Sequence, residues 1–164
     1  MKKVMILIGV AALAIASQAA SFKWTAANIY ASDLTTKYTG TAAIYAYLST
    51  DTVDSAVKVV DVDIVDGSIK NGSVSGYTYE WADASVGSNY RFYMVIEDGE
   101  KTFSSDSLII KEGSAQATST TTISFANMAS ATQDASNWSA VPEPTSAILL
   151  VLGVAALVLR RKRA

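Results

Sequence analysis

The chain has 164 residues, enough for one modest domain, and half of them are apolar. It contains no cysteine and no histidine, which excludes disulfides, thiol nucleophiles, thiolate metal sites and Ser-His-Asp or Cys-His catalysis. The net charge of −2 conceals a strong partition, because basic residues gather at the two ends and the middle is acidic.

Lys2 and Lys3 precede a purely apolar run, Val4 to Ala16. Thirteen apolar residues suit the h-region of a signal peptide and are too few for an ordinary spanning helix. Ser17-Gln18-Ala19 then places small residues at the two positions a signal peptidase reads, which predicts cleavage between Ala19 and Ala20. The segment 1–19 is therefore set apart from the fold, and signal peptidase and the Sec translocon become expected partners.

From Ala20 to Val141 there are seven Lys/Arg and fourteen Asp/Glu, a net of −7. Such a segment repels nucleic acid and anionic lipid, so no nucleic-acid partner is expected. Residues 20–125 are dominated by Val, Ile, Thr and Tyr in short alternating runs. In Ala42 to Leu48, Ile44, Ala46 and Leu48 share a face; in Tyr90 to Glu97, Tyr90, Phe92, Met94 and Ile96 share one, with Arg91, Tyr93, Val95 and Glu97 opposite. Asp98-Gly99 between alternating runs is a hairpin signal. Ser107 to Lys111 and Thr118 to Phe125 read as further strands. Residues 51–65 remain open: Val53, Ala56, Val57 and Val60 share a helical face, whereas the β-branched second half favours a strand. The expected fold is mainly β, a small antiparallel β-sandwich or open barrel.

Two constellations in this region invite a chemical reading. Asp61, Asp63 and Asp66 space like calcium ligands, but the third acid falls one place late for a helix-loop-helix calcium loop and position twelve is Gly72. A strand with a charged outer face explains the same alternation, so metal binding at these residues is the weaker reading. Tyr77, Tyr79 and Trp81 alternate in one strand; they form either an aromatic platform for sugar rings or the core face of that strand. Catalysis has little to draw on beyond paired carboxylates, and neither an enzyme activity nor a cofactor is expected.

Residues 126–140 lose the alternation and read as a polar linker. Both prolines of the chain follow, in Val141-Pro142-Glu143-Pro144. Each disfavours helix in the residue before it, giving a stiff extended strip. Residues 145–159 read as a transmembrane helix. Its apolar part, Ala147 to Leu159, rises through about 20 Å against a hydrocarbon core of about 30 Å, and snorkelling from Arg160, Arg161, Lys162 and Arg163 helps close the gap. The positive-inside rule holds this basic cluster in the cytoplasm, and Lys2 and Lys3 likewise, which places the acidic middle outside.

The order of Pro-Glu-Pro, apolar helix and terminal Arg/Lys cluster over residues 141–164 resembles the PEP-CTERM sorting signal. An ordinary single-pass anchor with a proline-rich stalk is the alternative. The resemblance implies recognition of Pro142, Glu143 and Pro144 by an exosortase, a membrane-bound cysteine peptidase or transpeptidase of diderm bacteria. It also implies a precursor held in the inner membrane by its C-terminal helix, then delivery to the cell surface or extracellular matrix. Three molecular roles fit that route: a non-enzymatic surface or matrix protein, a carbohydrate-binding or adhesin module with an exopolysaccharide as partner, and a self-assembling matrix subunit using open sheet edges.

Overall fold

The computed structural model describes residues 19–141. The strands in chain order are β1 (Ala20–Ala26), β2 (Gly40–Leu48), β3 (Val57–Val65), β4 (Ser68–Asn71), β5 (Val74–Ser75), β6 (Tyr77–Trp81), β7 (Asn89–Asp98), β8 (Lys101–Ser104), β9 (Lys111–Ser114), β10 (Thr121–Phe125) and β11 (Trp138–Ala140). The described residues are thus mainly β, with one short helix, α1 (Met128–Thr132), and 3₁₀ turns at Val53–Ser55 and Ala135–Asn137.

Two long strands, β2 and β7, form the centre of the larger sheet. Antiparallel pairing of β2 and β7 sets Ala42 opposite Ile96, Ile44 opposite Met94 and Ala46 opposite Phe92, and all six side chains are buried. Alternation along each strand thus becomes one apolar face of the sheet. Leu48 continues that face in sequence but lies at the sheet's end and is exposed. On the other side of β2 runs β3, followed by β4 and β5. Residues 51–65 resolve into a single 3₁₀ turn and then a strand. Between Ile44 and Tyr45 the register with β3 slips, leaving Val59 as the extra residue of a bulge.

At the far edge of β7, both β8 and β9 pair antiparallel, one beyond the other. Ser105 separates them. Its Oγ accepts from Met94 N–H at 2.9 Å and donates to the Ile109 carbonyl at 3.0 Å, so the chain leaves the ladder and returns at Lys111. The strand expected over Ser107 to Lys111 is displaced for this reason to Lys111–Ser114. The hairpin into β8 also shifts by one residue: Asp98 pairs with Lys101, and Gly99-Glu100 forms the turn, with Gly99 at φ 61°.

A three-stranded sheet, β10-β1-β6, supplies the opposing face. Here the antiparallel expectation fails in one place. β1 and β6 are antiparallel, but β1 and β10 run parallel, with Trp24 beside Ile123. A parallel pair needs a long crossover, and nearly the whole domain provides it. Phe22 and Trp24 of β1 meet Phe92 of β7 at ring-centroid distances of 5.0 and 6.0 Å, and Trp81 of β6 meets Tyr90 at 4.9 Å edge-on. Each such buried ring contributes roughly 1.5–3 kcal/mol by area alone, so this aromatic seam is the main cohesion between the two sheets.

Residues 126–140 are not a linker. Met128 and Thr132 of α1 are fully buried and Ala131 is nearly so. Thr132 Oγ accepts from Tyr30 N–H at 2.9 Å and donates to the Met128 carbonyl at 2.7 Å. Trp138 opens β11 against Phe103 of β8, and its Nε1–H donates to the Thr132 carbonyl at 2.8 Å. The segment reads as small and polar because it touches the core through only four buried side chains, Met128, Ala131, Thr132 and Trp138; the folded body therefore extends to Ala140 instead of ending at Phe125.

Candidate functional site

The aromatic row Tyr77, Tyr79 and Trp81 faces inward. Trp81 is buried against Phe22 and Tyr90, Tyr79 packs on Trp24 at 6.4 Å, and Tyr77 lies half-buried against the same core. Thr78 and Glu80 take the exposed positions of β6. Of the three, Trp81 joins the small sheet to the large one through Tyr90, whereas Tyr77 and Tyr79 are half-buried against the core and form no open row.

The three aspartates do not converge either. Asp61 Oδ2 pairs with Lys58 Nζ at 2.8 Å on the exposed side of β3. Asp63 stands opposite Lys70 of β4. Asp66 belongs to the turn between β3 and β4, where Asp66 and Gly67 have φ of 49° and 69°. Positive φ at both central residues is the signature of a type I′ hairpin turn, and Asp-Gly is a preferred pair for it. Among the described residues no three acidic or other metal-ligating side chains cluster.

The outward face of β2, β3 and β7 is where polar and aromatic groups do come together. Tyr45 and Tyr93 stack with centroids 5.2 Å apart and planes 10° apart, and Tyr47 leans on Tyr93. Beside them Arg91 Nε donates to Glu112 at 2.8 Å. Ala43 and Val95, opposite each other in register, underlie a shallow groove of about 250 Å³ edged by Tyr45, Lys58, Asp61 and Glu97. Burial pushes the Tyr93 hydroxyl above the usual phenol range, helped by the charge of Asp106. The hydrogen bond to Asp61 holds Lys58 above the usual lysine range, so it is a cation at neutral pH. Alternation puts Tyr93 on the strand face opposite Phe92 and Met94, but only the pairing of β2 with β7 brings Tyr45 against Tyr93, where Tyr93 and Tyr47 are buried.

The described residues also reach the edges of the two segments expected to be processed. Ala20, the first residue after the expected signal-peptidase junction, is fully buried at the start of β1 opposite Trp81, and Ala19 is partly buried. At the other end β11 is followed by Val141, whose N–H donates to the Glu100 carbonyl at 2.8 Å. The next residue is Pro142. The expected signal-peptide run, Pro142, Glu143, Pro144, the expected helix over 145–159 and the Arg160–Arg163 cluster lie outside the described residues. Among the described residues no helix is long and apolar enough to cross a membrane.

No curated protein and no solved structure matches the chain. One family model does: the PEP-CTERM protein-sorting motif matches residues 140–163, beginning on the last residue of β11. By that match the chain carries a PEP-CTERM sorting motif, which marks it as an exported protein recognised by an exosortase, a membrane enzyme of the Gram-negative cell envelope.

Proposed function

We propose that residues 20–140 form a non-enzymatic β-sandwich domain of the cell surface or extracellular matrix. On this reading the chain is exported through the Sec translocon, trimmed by signal peptidase after Ala19, and freed from its C-terminal anchor by an exosortase. One observation carries the proposal: the last buried core side chain among the described residues is Trp138, and the sorting motif begins at residue 140. Removing the tail therefore leaves every buried side chain of the described core in place. The lack of His and Cys, and the pairing of Asp61 with a lysine, support a role without catalysis. Replacing Pro142, Glu143 and Pro144 together by alanine tests the route. The variant is expected to stay in the membrane fraction while the unaltered chain leaves it; equal release of both would contradict the proposal.

A second reading is favoured by the outward groove. Tyr45 offers a half-buried ring beside Lys58, Asp61 and Glu97, a mixture of apolar surface and hydrogen-bonding groups suited to a neutral polysaccharide. Specific binding of residues 20–141 on a glycan array, lost in Tyr45→Ala, is the expected outcome for an adhesin. Binding that survives this substitution would remove the groove from consideration.

A further inference from the structure

The fold and the sorting motif share a boundary with no spacer, and we propose that the exosortase acts on a strand peeled from the domain: residues 139–141 leave β8 before the chain is cut near Pro142–Pro144. This rests on the sorting reading above. A peptidase holds its substrate extended across several residues, and a chain already hydrogen-bonded in a sheet must first open locally. Only Pro142, Glu143 and Pro144 separate Val141 from Thr145, where the membrane helix is expected to start. Those four residue steps reach at most about 14 Å. A folded domain of two packed sheets would thus sit against the mouth of an enzyme working at the membrane surface.

The end of the domain is built so that a short stretch can yield. β11 is an edge strand, paired with β8 alone. Ser139 and Ala140 are exposed. Beyond Trp138 the strand is held by its ladder, by Val141 N–H to the Glu100 carbonyl, and by a long contact of 3.3 Å from Ser139 Oγ to the Thr102 carbonyl. Trp138 is different: it is buried against Phe103 at 5.6 Å and its indole N–H is bonded to Thr132. Peeling therefore has a stop. It frees residues 139–141 without opening the core and doubles the available strip, from residues 142–144 to residues 139–144.

The chain has no cysteine, so an introduced pair can form only one disulfide. Val141 donates to Glu100, which makes the preceding pair, Ala140 and Lys101, a non-hydrogen-bonded one. Such pairs have Cα atoms about 4.5 Å apart, within disulfide range. The full-length variant Ala140→Cys/Lys101→Cys is expressed in cells that process the unaltered chain, and intact mass follows the tail. The oxidised variant is expected to remain unprocessed, and the same variant kept reduced to be processed. A Gly/Ser spacer of about twelve residues between Val141 and Pro142 should restore processing of the oxidised form by supplying a free strip. Processing of the oxidised, spacer-free variant at the unaltered rate would overturn the proposal, as would failure of the spacer to restore it. If the unaltered chain itself keeps its tail, the sorting reading falls, a result distinct from either of these.

Discussion

Gly67 stands where three segments meet. Its N–H donates to the Tyr38 carbonyl at 2.8 Å, and its carbonyl accepts from Ile29 N–H at 3.0 Å. A Cβ added there would lie 2.7 Å from the Ile29 oxygen, and the backbone is already at positive φ. Steric conflict and an unfavourable conformation act together, so Gly67→Ala should cost about 1–3 kcal/mol or more. Urea unfolding of residues 20–141 measures this directly. A loss below half a kilocalorie, on the order expected of a surface site, would show that the turn relaxes freely. The same residues show why site chemistry was hard to read. Asp66-Gly67 is a hairpin signal and also the end of a series of acids spaced almost like cation ligands. Only the pairing of Val65 with Ser68, which encloses the two as a turn, separates the meanings. Likewise the alternation of Tyr77, Tyr79 and Trp81 reveals that they share a face, but not whether that face meets solvent or the aromatic seam.

Among the elements, those with clean alternation were legible, the short β6 included, whereas the long β3 read as helix or strand and β11 and α1 were not seen. β2 and β7 carry enough alternation to reveal both their type and their inward residues. β11 spans three residues and α1 five, too few to show any period, and their fit depends on Met128, Ala131 and Trp138 meeting a surface formed from distant sequence. The parallel neighbourhood of β1 and β10 is invisible for the same reason, since strand partners are chosen by tertiary packing. The contrast between linker and folded segment has a quantitative consequence. Trp138→Ala should destabilise the domain by about 3–5 kcal/mol, because it empties a core site and strips a donor from the Thr132 carbonyl. In a solvated linker the same substitution would lie within about 0.5 kcal/mol of neutral. Thermal and urea unfolding of the pair distinguish the two.

At the scale of the molecule, an acidic two-sheet body lies between two segments that the sequence reads as addresses. The first strand begins at the expected signal-peptidase junction, and the last ends where the sorting motif begins. Export and sorting were legible because they are written in contiguous residues: an apolar run, a proline pair and a basic cluster. The cluster of Tyr45, Tyr47 and Tyr93 was not, because it exists only once β2 and β7 pair. On the sorting reading the body is delivered without its tail. The most direct measurement is the intact mass of the protein recovered from the cell surface or medium. The expected mass is that of a chain starting at Ala20 and ending near Pro142–Pro144; a mass that still includes Arg160–Arg163 would contradict the sorting reading.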